Sequence, residues 1–449
     1  MSRIFVRNKQ FYKNFIIIAL PVILQSCITI GVNMLDTIML GSFGEIYLSA
    51  TSLSNQFFNL YQIICMGLGG GAAVLVAQAW GRKDTEAIKK VITIMLFLSI
   101  FIAILFTIFS CLFPRQIMSI YTDDATVLNE CERYYKYLAY AFVFQGLSLT
   151  LTQVLRSVKE AKIALYSAIT AFFINIILNY ILIFGEFGFP RMEIEGAALA
   201  TLLSRIVECL YIGIYVFLID KKINYRFNDL FKKCSDYIQP YIRYGLPVLF
   251  SDFLLGLGNN AIAVVMGHIS SEFVAAYSIT TITQQMCNIF TTGVTNASGV
   301  LIGNTLGEGK KEEAYNQGKT FIAMSTLIGM SASLVVYIIK MPVINMYNIQ
   351  AETKQIANSL MNGVSFMILF RMMGSVLTKG VLRGGGDTKF LMKADILFLW
   401  CASIPLGILS GIIFNLEAFW IFFFLNIDHL IKAFWCLKRF KSKEWITVL

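Results

Sequence analysis

Residues 14–41, NFIIIALPVILQSCITIGVNMLDTIMLG, decide the fold. The run exceeds the about 20 mostly apolar residues that a spanning helix needs. It is too long for a signal-peptide core and has no small-x-small cleavage site, so it reads as a retained transmembrane helix. Near its far end stands one acid, Asp36. A carboxylate in the middle of a spanning helix costs roughly 2.5–3.5 kcal/mol on insertion scales, and such residues mark ion or substrate pathways. Asp36 therefore reads as the coupling-ion or proton site of a transporter. The plainer alternative is a helix-terminal carboxylate reaching back to water.

The rest of the chain repeats this character. Of 449 residues, 57% are hydrophobic and only 14% charged, with a mean hydropathy of +0.68. Apolar runs recur throughout, the mark of an all-α polytopic membrane protein. The alternating ten-residue strands of a membrane barrel are absent. Nine cysteines are scattered without CxxC or metal spacing, and two histidines, His268 and His429, are too few for a histidine metal centre. No metal centre or cofactor is expected beyond a coupling ion. The net charge of +10 would suit nucleic acid, but the excess sits in short loops, so no nucleic-acid partner is expected.

Twelve spans are predicted: 14–40, 48–79, 88–112, 131–155, 161–184, 194–218, 238–266, 273–305, 314–339, 356–381, 388–413 and 416–436. Lysine and arginine set their orientation. The N-terminus (Arg3, Arg7, Lys9, Lys13), alternate loops (Arg82 to Lys90, Arg156 to Lys162, Lys310 to Lys319, Arg383 to Lys393), the central loop (Lys221 to Arg243) and the C-terminus (Lys438 to Lys443) are all basic. They fall on one side if both termini are cytoplasmic. The opposite loops, such as 41–48 and 185–196, are nearly neutral or acidic.

A repeat organises the spans. Leu20-Pro21-Val22 recurs 226 residues on as Leu246-Pro247-Val248, and the same shift carries Asn33 to Asn259, Gly41 to Gly267, Gly67 to Gly293 and Gly81 to Gly307. LRSVKEAK at 155–162 matches LRGGGDTK at 382–389, a shift of 227. Two like-oriented six-helix lobes follow, related by a pseudo-two-fold along the membrane normal with a cavity between them. The expected boundaries are an N-lobe over 1–219, a solvated interlobe linker over 220–237, a C-lobe over 238–437 and a tail over 438–449.

The chain resembles the multidrug and toxic compound extrusion (MATE) family. The carriers are LPVIL (20–24), GVNMLDTIMLG (31–41), AVLVAQAWGRKD (73–84), NIILNYILIFG (175–185), EGAALATLLSR (195–205) and LRGGGDTK (382–389), in order along essentially the whole chain. The resemblance implies two lobes around a V-shaped cavity. It also implies export of small amphipathic, usually cationic compounds in exchange for protons or sodium, from a monomer in the bacterial cytoplasmic membrane.

One site can be argued from helix geometry as well. The first and fifth spans run outward, placing Asp36 and Asn179 each about one and a half turns below their outer ends. Asn33 and Asn175 lie one turn deeper on the same faces. Thr201 in the sixth span and Gln56 in the second reach a similar depth. In the resembled family, an acid in the first helix with partners on the fifth and sixth forms a cation site, and Asp36, Asn175, Asn179 and Thr201 are the matching positions. Many relatives carry an acid where this chain has Asn179. A lone desolvated acid favours its protonated form and exchanges a proton near neutral pH, so proton coupling is expected, with sodium on the oxygens of Asp36, Asn175, Asn179 and Thr201 as the alternative.

The repeat places Ile262 opposite Asp36, so the second lobe lacks the equivalent acid. Asp252 is the acid nearest the positions used by NorM-like relatives, and it reads equally as a cavity or an interfacial residue. This favours a DinF-like site in the first lobe. Gln56, Asp252, Asn259, Asn288 and Arg371 are the candidate cavity residues. Arg205 and Glu208, three apart, are expected to pair. Arg371, Lys379 and Asp428 are expected to form a structural network. GGG at 69–71 suits close helix packing, and GGG at 384–386 lacks the GK[ST] ending of a phosphate loop. A lipid-linked saccharide flippase of the same superfamily is the second reading, and an enzyme is not supported by any catalytic motif.

Overall fold

Each long apolar run becomes a helix, and glycine or a capping acid ends or begins it. A computed structural model describes residues 5–347 and 349–448, the side chain of Ser271 excepted. It is 86% helical, and the described residues contain no strand. The helices are α1 Lys9–Gly41, α2 Glu45–Gly81, α3 Thr85–Leu112, α4 Pro114–Met118, α5 Ala125–Ser157, α6 Ala161–Phe184 and α7 Ile194–Ile214, then α8 Ser235–Gly267, α9 Ser271–Gly307, α10 Lys311–Asn345, α11 Ala351–Ser375, α12 Thr388–Phe398, α13 Ile404–Ile408, α14 Ala418–Leu425 and α15 Ile427–Ser442. Wider π turns extend α7 to Ile219 and α11 to Leu382, and join α12 to α13.

Ten of these segments are long and apolar enough to cross a membrane, or eleven if the bent pair α14–α15 is one span. The remaining expected span is α9. Its length of 37 residues suffices, but its threonines, serines and asparagines make it less apolar. The lipid-facing character is visible on α3, where exposed Phe97, Phe101, Ile104, Ile108 and Leu112 recur at three- and four-residue steps.

The predicted repeat reappears in backbone detail. Lys83 and Gly309, 226 apart, both take left-handed φ, of 60° and 79°. So do Lys159 and Gly386, 227 apart, at 64° and 89°. Each pair closes the turn before a helix (α3 and α10, α6 and α12).

Two compact units divide the chain. The amino-terminal unit holds Leu20–Val76 and Asp84–Leu249. The carboxy-terminal unit holds Phe250–Leu449 together with Met1–Ala19 and Ala77–Lys83, as far as these are described. In the amino-terminal unit Phe58, Tyr61 and Phe142 are buried at the centre, and Tyr61 donates to the Phe142 carbonyl at 2.6 Å. The start of α8 belongs here because α2 has no side chain to resist it: a Cβ on Gly67 would lie 2.8 Å from the Leu249 backbone. In the carboxy-terminal unit Phe11, Ile18 and Ala19 of α1 join the core of Val294, Ala297 and Phe321. There the last turn of α2 lies against α9, with a Cβ on Gly81 calculated at 2.9 Å from the Gly307 Cα.

The central segment is largely exposed but has local structure of its own. Asp220 accepts the N–H groups of Lys222, Ile223 and Asn224. Buried Tyr225 meets Thr93 of α3 at 2.8 Å, and Asp229 pairs with Lys232 at 2.7 Å and Lys89 at 3.3 Å. Lys222 and Lys232 pair with carboxylates, the Arg226 guanidinium donates to the Phe217, Asp220 and Tyr225 carbonyls, and with Tyr225 and Asp229 buried the segment folds as a clip on α3. The C-terminal tail is docked as well: Trp445 is buried, and the Thr447 N–H donates to the Gly385 carbonyl at 3.0 Å.

Candidate coupling site

Three helices of the amino-terminal unit build the site. α6 ends at Gly185, whose φ of 77° reverses the chain. α7 then starts flush against that end, because a Cβ on Gly196 would stand 2.6 Å from the Leu182 carbonyl oxygen. This close approach sets Thr201 and Arg205 of α7 beside the polar face of α6. On α6, Asn175 and Asn179 are buried one turn apart. The Asn179 amide donates one N–H to Asp36 Oδ1 at 2.5 Å and another to Asn175 Oδ1 at 3.1 Å. The Asn179 oxygen is buried with no hydrogen-bond partner. A buried acceptor left unpaired costs about 1–3 kcal/mol, and this oxygen is free to accept a hydrogen bond.

Asp36 is half-buried and forms no ion pair with a described residue. The charge of Arg205 acts on it, and that guanidinium is itself paired with Glu208 at 2.8 Å, as its spacing predicts. Tyr134 of α5, buried beside Thr201, completes the wall. Sequence reasoning missed Tyr134, because a tyrosine inside an apolar helix carries no spacing signal. Of the other expected members, Thr201 is half-buried, while Asn33 and Gln56 are exposed. The chemistry available is one carboxylate, two amides, a hydroxyl and a phenol, which can hold a proton or offer oxygens to a small cation.

The carboxy-terminal unit answers the remaining expectations. Asp252 lies between Arg383, which donates to both its oxygens at 3.0 and 3.1 Å, and Lys379 at 3.1 Å. The Asp252–Arg383 pair has a counterpart in Gln25–Arg156, the same 131 residues apart, where a neutral amide replaces the carboxylate. Asp428 does form a network, but its partner is Lys432 at 2.8 Å rather than Arg371 or Lys379. Lys432 also reaches Asp395 at 3.3 Å, and Ser251 donates to Asp395 at 2.5 Å. The i, i+4 spacing of Asp428 and Lys432 could have revealed this pair. Arg371 donates instead to Gln284. Asn288 lies in a pocket beside Arg371, and Asn259 is exposed. The glycines at 384–386 are packing residues, since a Cβ on Gly384 would sit 2.6 Å from the Gly299 carbonyl oxygen.

Comparison with known proteins gives a consistent answer. The chain is 24% identical to "Probable multidrug resistance protein NorM" of Thermotoga maritima over 434 residues, covering 96% of this chain and 93% of that one. Its fold superposes on a crystal structure of MATE in the bent conformation with a TM-score of 0.87, at 18% identity and 97% and 96% coverage. An outward-facing multidrug resistance MATE family transporter of the MOP superfamily gives a TM-score of 0.85, at 18% identity with 96% of each chain covered. The MatE family profile matches residues 21–181 and 247–409, more than half of the sequence and once in each half of the repeat. The chain is a multi-pass membrane protein of the MatE family, whose members are transporters and not enzymes.

Proposed function

We propose that this transporter is a proton-coupled antiporter that exports small amphipathic compounds, with Asp36 as the coupling carboxylate. The observation that carries the reading is the contact of Asp36 with the Asn179 amide at 2.5 Å. Ionised, Asp36 accepts from that amide. Protonated, it becomes a donor, and the Asn179 side chain turned over presents the oxygen that now lacks a partner. Protonation thus rewires the contact between α1 and α6, and a bias of this kind is what alternating access requires. The names of the relatives support drug-like substrates.

Asp252 is already held by two cations, which favours a DinF-like site in the amino-terminal unit over a NorM-like one elsewhere. The same pairing occupies Lys379 and leaves Arg371 alone to hold a pyrophosphate, so the flippase reading is not favoured. A place in the bacterial cytoplasmic membrane with both termini in the cytoplasm fits the distribution of basic loops, and the transporter is proposed to act as a monomer.

The test is uptake of a fluorescent amphipathic cation into oriented vesicles, with proton and sodium gradients applied separately. Proton-driven transport should be present in the native protein and lost in Asp36→Asn, with membrane insertion intact. Sodium-driven transport that survives the substitution would move the site away from Asp36.

A further inference from the structure

Residues 220–234 join two segments long and apolar enough to span, Ile194–Ile219 and Ser235–Gly267, so the connection lies at a membrane surface. One side of it packs inward. Tyr225 and Asp229 are buried and meet Thr93 and Lys89 of α3 respectively. Thr93 stands eight residues after the α3 start at Thr85, about 12 Å along the helix axis. The connection therefore folds back along the helix rather than out into water.

The other side is apolar and open. Phe227 and Phe231, at the two ends of a short 3-10 turn, are 57% and 87% exposed. Phe227 is fixed in place, stacked on Phe217 of the α7 extension with ring centroids 4.4 Å apart and planes within 10°. Leu218 and Ile219, next to Phe217 in the chain, are exposed too. A phenyl held in the open by an ordered backbone, beside the ends of spanning helices, marks a contact with something apolar. Charge says more. Over 220–237 five cations (Lys221, Lys222, Arg226, Lys232, Lys233) accompany three acids (Asp220, Asp229, Asp236). The acids are already committed: Asp220 to backbone N–H groups, Asp229 to Lys89 and Lys232, and Asp236 to Lys90. Lys221 and Lys233 are exposed and form no ion pair among the described residues. Each follows an exposed apolar side chain by two positions, Ile219 and Phe231. An apolar face flanked by unmatched lysines is the pattern of segments that lie in the membrane interface.

We propose that this connection is an interfacial anchor, in which Phe227 and Phe231 enter the adjacent leaflet and Lys221 and Lys233 bind the phosphates of anionic lipids. The occupant is lipid because the phenyls lie beside a helix end whose own apolar side chains, Leu218 and Ile219, face the bilayer. Anionic lipids are favoured because a zwitterionic headgroup brings a cation of its own beside the phosphate. The anchor holds the joint between α7 and α8 at the surface, whichever ion drives transport.

The test places the full-length protein in nanodiscs that mix phosphatidylcholine with phosphatidylglycerol. Phe231→Trp adds one tryptophan to the five native ones, and the native emission is subtracted. The added emission should be blue-shifted, quenched by lipids brominated near the headgroup and shielded from aqueous acrylamide. Bromine on phosphatidylglycerol should quench it more strongly than bromine on phosphatidylcholine. Lys221→Gln and Lys233→Gln should each reduce that preference by up to about fivefold, and the double substitution should abolish it with the tryptophan still shielded. Emission typical of water, quenched by acrylamide and not by bromine, overturns the anchor. Emission shielded from both quenchers means that protein, such as a second copy of this chain, covers the face, and it overturns the anchor as well. Equal quenching by the two brominated lipids, or a preference that the double substitution does not move, overturns the role of the lysines. If Phe231→Trp fails to fold, amide exchange over 226–233 in the native protein decides. Slower exchange in the mixed discs than in phosphatidylcholine alone supports the anchor, and equal exchange overturns it.

Discussion

Asn179 presses a neutral donor against a lone carboxylate, and on the proposed coupling role of Asp36 that choice of side chain bears on which ion is taken. Replacing it with aspartate puts two carboxylates within hydrogen-bond reach of each other, where both ionise only if a cation lies between them. Asn179→Asp should therefore raise the sodium-driven component of transport by about tenfold relative to native, an effect of 1.4 kcal/mol. Comparing uptake under separate sodium and proton gradients checks it, and an unchanged ion preference would place the amide outside the ion's coordination. Asp36 could be read from sequence as a lone acid in a spanning helix, and Asn175 and Asn179 because residues four apart share a helix face. Asn33 was grouped with them on a three-residue step, which leaves it about 60° round the helix, and the side chain is exposed. Tyr134 escaped because a phenol inside a helix looks ordinary until its neighbours are placed, whereas Lys432 carried a signal in its i, i+4 spacing from Asp428.

At the scale of elements, charge alone says nothing of the order within the central segment. Its lysines suggested solvent, yet Asp220 and Asp229 are buried and organise the clip. Burial of Asp229 by itself would raise its pKa, but the Lys232 ammonium, the Arg226 N–H and Lys89 outweigh it and hold the carboxyl below its ordinary value. A folded pKa below the unfolded one means that the stabilisation is present above about pH 4, the unfolded aspartate value. It is lost as pH falls through the folded value. Hydrogen-exchange protection over residues 220–234 should therefore decline on the acid side of pH 4 in the native protein. Asp229→Asn should abolish that decline and lower the local opening energy at neutral pH by about 1–3 kcal/mol, the cost of a lost charged hydrogen bond. Protection that is equal in the two proteins at neutral pH would mean that Asp229 does not hold the clip.

At the scale of the molecule the repeat was readable because glycine and proline positions are fixed by backbone, not by side-chain chemistry. The left-handed pairs Lys83/Gly309 and Lys159/Gly386 match in backbone even where the residue type differs. The membership of the two units was not readable, because nothing in residues 9–19 or 235–249 says which core an apolar stretch will join. Phe11, Ile18 and Ala19 are buried among residues of the second half, and Gly245 approaches Gly71 of the first. A chain cut after residue 234 tests this assignment. The piece 235–449 lacks Phe11, Ile18 and Ala19, and truncating a large buried apolar side chain already costs about 2–5 kcal/mol. Expressed alone, it should be lost from the membrane fraction or unfold at a much lower temperature. Co-expression with residues 1–234 should restore it, because each piece then recovers the helix segment its core was built around. If 235–449 instead proves as stable alone as in the pair, the start of α1 is not part of that core, and the boundary between the units returns to the middle of the sequence.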